Sequence, residues 1–177
     1  MPVSLPSSVV GRYERFSRYN SPYPAHDGGR AVDLYPADET AVSPVAGVVR
    51  ETRTVGCPSR AYAASTDHLI VVDLADEWCL TAGVAAGTVA RVLHVDPAVS
   101  AGDRIAVGDT LGRLTRSGFF GRWVANHLHL GFRPPGADAV RASGSPTRAA
   151  HPRPAGAPWA RPGTHARPGP HTRPPRS

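Results

Sequence analysis

Lysine is absent from the 177 residues, so all 20 basic side chains are arginines. That absence excludes a lipoyl or biotinyl carrier, which needs a lysine acceptor, although Gly-Asp turns like 102–103 and 108–109 occur in those small β folds. The two cysteines, Cys57 and Cys79, form no Cys-x-x-Cys metal knuckle; they either pair or remain free thiols, and cannot decide the redox compartment. No apolar run is long enough to span a membrane. Met1 to Val10 lacks the basic start and apolar stretch of a secretory signal, so the cellular address stays open. No stretch keeps a 3.6-residue apolar period, which argues against a helical bundle.

An excess of charge of either sign is missing from most of the chain. Residues 1–132 hold twelve arginines and thirteen acids, whereas Arg133 to the end holds eight arginines and one aspartate. The formal net charge of +6 is therefore a property of the tail. Eleven of the nineteen prolines follow Arg133, and beyond it Val140 and Trp159 are the only large apolar residues. Residues 134–177 are expected to be a disordered Arg/Pro-rich tail, because they cannot bury enough surface to offset chain entropy. Such a tail is a basic arm for an anionic polymer, a solvated extension without a partner, or the product of a shifted reading frame.

What is present is a series of short β signals divided by turns. Ala31–Tyr35, Val45–Val55, Asp67–Leu74, Thr88–Val95 and Asn126–Arg133 read as strands, with Asp67–Leu74 the best candidate for a buried one. Gly-Asp turns divide very short strands between Ser100 and Leu114. The expected fold class is all-β, an antiparallel sandwich or barrel-like core. An N-terminal arm, residues 1–21, with Tyr13, Phe16 and Tyr19, is expected to pack irregularly over that core, and a domain spans 22–133.

The chemistry-bearing residues are histidines and one acid. His127 and His129 lie two apart, so on a strand they share a face while Leu128 and Leu130 take the other. Asp33 sits in the apolar run Ala-Val-Asp-Leu-Tyr, where an unpaired carboxylate is expensive to bury. It needs a metal, an arginine such as Arg30 or Arg12, or another donor. The turn-rich His-Asp-Gly-Gly-Arg segment lets His26 fold back toward it. Two imidazoles and a carboxylate are a typical catalytic zinc set with a fourth position for water, and unligated histidines suit proton transfer. His68 opens an apolar strand and reads as a packing residue. Phe119, Phe120 and Trp123 either rim a groove or cap the core.

His26…Asp33, Ser43–Val49 (Ser-Pro-Val-Ala-Gly-Val-Val), Val92-Leu93-His94, the Gly-Asp turns and His127-Leu128-His129, in that order, resemble the M23 family of metallopeptidases. The resemblance covers residues 22–133. It implies Zn2+ on His26, Asp33 and His129, with His94 and His127 as the catalytic pair that positions water and stabilises the oxyanion. It also implies a duplicated hybrid motif β fold, endopeptidase activity on peptide crosslinks of cell-wall peptidoglycan or a related polymer, and a cell-envelope or extracellular setting. A monomer without a membrane span is expected. Three features depart from the family pattern. Six residues separate His26 from Asp33 rather than three, Asn126 precedes the His-Leu-His, and Leu-Gly-Phe follows it rather than Phe-Glu. The alternative is a catalytically degenerate binding module on the same fold.

Overall fold

The computed structural model describes residues 3–18, 26, 30–140 and 147–149. The strands are β1 (Val3–Leu5), β2 (Arg15–Ser17), β3 (Ala31–Tyr35), β4 (Thr40–Val42), β5 (Gly47–Gly56), β6 (Thr66–Leu74), β7 (Val89–Leu93), β8 (Val95–Pro97), β9 (Arg104–Ile105), β10 (Thr110–Leu114), β11 (Leu128–Arg133) and β12 (Thr147–Ala149). Two short helices, α1 (Ser7–Val10) and α2 (Asp76–Ala82), are complete within the described residues. A seven-stranded sheet runs β2-β3-β11-β7-β6-β5-β9, and a three-stranded sheet runs β4-β10-β8. Both are antiparallel throughout. The fold is all-β, as the short strands and glycine turns predicted.

The four central strands obey a strict two-residue alternation. Even-numbered side chains, among them Val32, Leu34, Ile70, Val72, Ala90, Val92, Leu128, Leu130 and Phe132, enter one core cluster. Ala41, Val95 and Leu111 from the smaller sheet close that cluster from the other side. Odd-numbered residues on the same strands therefore point away from this core. The pairing sets Asp33 beside His129 and Leu93 on the other flank of His129. One face of the large sheet is thus the main core, and the other carries the polar chemistry beside a smaller apolar cluster that includes Leu69, Val71 and Val89.

Helix α2 was not visible as a periodic segment. It spans seven residues, so its buried face is only Trp78, Cys79 and Ala82. Acids Asp76 and Glu77 occupy the positive end of its dipole, and Gly83 ends it in the left-handed conformation. The Trp78 ring stacks on Phe132 with centroids 5.7 Å apart. Cys57 and Cys79 are both free thiols.

The N-terminal arm is more regular than expected. Strand β2 joins the edge of the large sheet beside β3, and Val3, Leu5, Val10 and Tyr13 enter the core. Tyr19 lies outside the described residues. Order also continues beyond Arg133, where the tail was expected to begin. Ala139 packs on Leu69, Val71 and Val89, and β12 pairs in parallel with β1. Composition alone hides this, because backbone pairing needs no large apolar side chain. The remainder of the expected tail, 141–146 and 150–177, lies outside the described residues. Among the described residues, no helix is long and apolar enough to cross a membrane.

Phe132 is fully buried on the strand that carries His129, so Phe132→Ala should cost about 3–5 kcal/mol of unfolding free energy. Leu80, 81% exposed, is the control, and Leu80→Ala should stay within about 0.5 kcal/mol of the parent. Urea denaturation of both variants checks this, and equal losses would contradict the assigned core.

Candidate metal centre

Asp33 points from the centre of β3 to the polar face and is almost wholly buried. Three imidazoles surround it. Its Oδ1 lies 3.0 Å from His129 Nδ1 and 3.3 Å from His26 Nε2, and those two nitrogens are 3.1 Å apart. Its Oδ2 faces His127 Nε2 at 3.6 Å. The six residues between His26 and Asp33 do not keep the two apart; residues 27–29 lie outside the described set. The expected partners of Asp33 included Arg30 or Arg12, and imidazoles take that place.

The triangle of His26 Nε2, His129 Nδ1 and Asp33 Oδ1 is hard to satisfy with protons. An ionised carboxylate oxygen only accepts, and each neutral ring nitrogen either donates or accepts. With two donors the nitrogens oppose each other; with one donor, the acceptor nitrogen faces the carboxylate; with none, all three contacts fail. A cation at the centre satisfies all three at once. Ligand atoms of a tetrahedral zinc with bonds of about 2.0–2.1 Å lie about 3.3 Å apart, which is the size of this triangle. The His26, Asp33 and His129 cluster could therefore hold a metal ion.

Asp33 is held well below the usual carboxylate range. Burial alone would raise it, but the His129 hydrogen bond and the charges of His127, His129 and His26 outweigh that. Burial lowers His26 despite the attraction of Asp33. It pushes His127 down to about 4, again against the pull of Asp33.

His94 reaches the same face by a different route. Alternation along β7 would send an even-numbered residue into the core. Instead His94 has φ +67°, the one left-handed residue other than glycine among those described, at the corner where the chain passes from the large sheet to the small one. That turn sets its ring 5.2 Å from His127 and 5.8 Å from His129. Such a conformation costs on the order of 1–3 kcal/mol and persists only where surrounding contacts impose it. Asp67, fully buried at the start of β6, supplies them. Its Oδ1 accepts the His94 backbone N–H at 3.1 Å, and its Oδ2 lies 2.5 Å from His94 Nδ1. Ser117 Oγ donates to the same Oδ2 at 2.7 Å.

These contacts select tautomers. Asp67 requires the proton on His94 Nδ1, and the Ala125 carbonyl, 2.9 Å from His127 Nδ1, requires it there too. Both rings then keep an Nε2 lone pair for the site. Phe120 packs 4.5 Å from His127 and 5.1 Å from His94, so the aromatic loop walls the site. Arg116 braces that loop, donating to the Gly121, Arg122 and Val124 carbonyls and to Asn126 Oδ1. Tyr35 closes the opposite side, 5.1 Å from His127.

Sequence reasoning missed Asp67 and Tyr35. The signal for Asp67 was the one used for Asp33, an acid attached to an apolar strand. His68, expected as a strand-end residue, is half-buried and lies 3.8 Å from Asp96, away from the cluster.

The chain belongs to the family described as domain of unknown function DUF8155, N-terminal domain, which matches residues 4–149. Among curated proteins nothing matches it. Among solved structures it is similar to the NMR solution structure of lysostaphin, at 17% identity and a TM-score of 0.39, covering 80% of this chain and 57% of that one. The chain thus spans less than two thirds of that protein.

The pH dependence of stability follows from His127. Its unfolded imidazole takes a proton near 6.5 and its folded one only near 4, so across that window the unfolded state binds more protons. The metal-free protein should keep full stability above about pH 6.5 and lose it as the pH falls toward 4. Tm measured at pH 7.5, 5.5 and 4.5 in roughly equal ionic strength tests the sign; a flat Tm contradicts the burial of a neutral His127.

Proposed function

We propose that the protein is a zinc-dependent endopeptidase-type hydrolase of the kind its sequence resembles, the M23 metallopeptidases, acting on peptide bonds in peptidoglycan or a related polymer. The observation that carries this reading is the proton-frustrated triangle of His26, Asp33 and His129 beside two histidines with preset tautomers. The closing of His26 on Asp33 favours an active centre over a degenerate binding module.

Zinc bound there would polarise a substrate carbonyl and make water a stronger acid. The remaining work falls to this chain's own residues. His127 stays neutral near pH 7 and points Nε2 toward Asp33, so it can accept a proton from the attacking water. His94, its Nδ1–H held by the buried Asp67 carboxylate, turns Nε2 to the site; with a proton on that nitrogen it can hydrogen-bond the oxyanion and then pass the proton to the leaving amine. Two histidines in different surroundings thereby divide base and acid roles. Phe120 keeps water from their flanks.

Elemental analysis of the purified full chain and of His129→Ala should give about one zinc per chain in the parent and none in the variant. No zinc in either overturns the metal centre. Asp67→Asn should retain its zinc while peptide hydrolysis falls by about 100-fold or more, because His94 loses the partner that fixes its tautomer. Unchanged turnover would remove His94 from the reaction.

A further inference from the structure

The two histidines beside the metal cluster are closed off in this structure. His94 and His127 are 6% and 3% exposed. A ligand that touches Nε2 of both needs them uncovered. The group that lies on both is Phe120, its ring centroid 5.1 Å from His94 and 4.5 Å from His127. Phe119 follows it, 6.2 Å from His94. Tyr35 is fixed within β3 and His129 within β11, so neither can move aside without breaking the sheet. Phe120 stands instead on the irregular loop between β10 and β11.

That loop is attached unevenly. Its stem is held by neighbouring elements. The Ala64 N–H donates to the Arg116 carbonyl at 2.9 Å, and Ser117 Oγ donates to the buried Asp67. Gly118 lies so close to Pro58 that a Cβ there would fall 1.9 Å from the Pro58 carbonyl oxygen. The tip, residues 119–124, is bonded almost wholly to this stem and to itself. Arg116 donates to the Gly121, Arg122 and Val124 carbonyls, and Ser117 Oγ accepts the Phe119 N–H at 3.2 Å. The Val124 N–H donates to the Gly121 carbonyl at 3.0 Å, and the Trp123 ring packs where a Cβ on Gly121 would come within 2.7 Å. Among the described residues, one hydrogen bond ties the tip to another loop. Tyr62 Oη, between β5 and β6, donates to the Phe120 carbonyl at 3.0 Å. Tyr62 is 38% exposed, so water competes for that bond.

We propose that residues 119–124 form a lid over His94 and His127, latched by Tyr62, and that a ligand reaches the two histidines when the lid lifts as one body. A segment with many internal bonds and a single outward one opens locally while the rest of the fold stays closed. Arg116 makes the tip one body, and its guanidinium also lies 5.6 Å from the Tyr62 ring and 5.0 Å from that of Phe120. Latch and lid therefore share one side chain, and the β5–β6 loop sets how often the site is open. That the entering ligand is a peptide rests on the hydrolase reading; the lid does not.

The test is modification of histidines by diethyl pyrocarbonate in the full chain, as purified and again after chelation. Rates are read residue by residue from peptide mass spectra. His68, half-buried and away from the cluster, is the reference. Alkylation of Cys79, buried in the main core, reports opening of the whole fold. In the parent, His94 and His127 should react about tenfold more slowly than His68, or slower still. Tyr62→Phe should speed both by about threefold or more, the factor that one lost hydrogen bond brings to an opening equilibrium. Phe120→Ala should speed both further, and His68 and Cys79 should keep their parental rates in each variant. Parent rates that match His68 overturn the lid. So does an unchanged rate in Tyr62→Phe, a rise at one histidine alone, a rise at Cys79 in step, or a difference that appears only after chelation. Because neither zinc nor turnover enters the readout, a lid found in a chain that cleaves no peptide leaves this inference standing while the hydrolase reading fails.

Discussion

The constraint on which everything else rests is the two-residue alternation of β3, β11, β7 and β6 in one continuous antiparallel sheet. Successive strand side chains must point to opposite faces, so a single choice of register decides what is core and what is site. Leu34, Leu128, Leu130 and Val92 lock the register from below, because a slip by one residue would bury Asp33 and His129 in the core. The hydrophobic contacts thus place the carboxylate and the imidazole opposite one another without needing those groups to attract. This is why Asp33 can be almost completely buried and still be surrounded by donors.

His94 is the exception that the alternation forces. The fourth histidine of the cluster lies on an even position, so it could reach the polar face only through a break in the strand. The break is a left-handed residue bearing a full side chain at the point where β7 gives way to β8. Asp67 ties the same residue by backbone and ring together, so one buried carboxylate both holds the corner and sets the tautomer. Local strain and site chemistry are therefore one feature here, and relieving the first would dismantle the second.

The strands and the His127–His129 face were legible because both depend on period two, which a sequence displays openly. Asp33 was legible because an acid inside an apolar run is costly and must be matched. Asp67 follows the same logic but stands at the strand's end, where an acid usually faces water, so its position carried less information. Helix α2 was hidden by its length, since two turns hold too few apolar residues to show a 3.6-residue period. The β1–β12 pair was hidden because backbone hydrogen bonds ask nothing of composition, and β12 sits in a segment rich in Arg, Ser and Pro.

The polar face therefore carries an electrostatic demand that folding alone does not create. Three ligand atoms with lone pairs converge at Asp33 and call for a cation. That demand does not serve stability, since an apolar residue at Asp33 would avoid the desolvation cost that burial imposes on the charged group. Elsewhere on the same face Leu69, Val71 and Val89 pack under Ala139, so the sheet has apolar cover for that face and yet sets histidines, not apolar side chains, around Asp33.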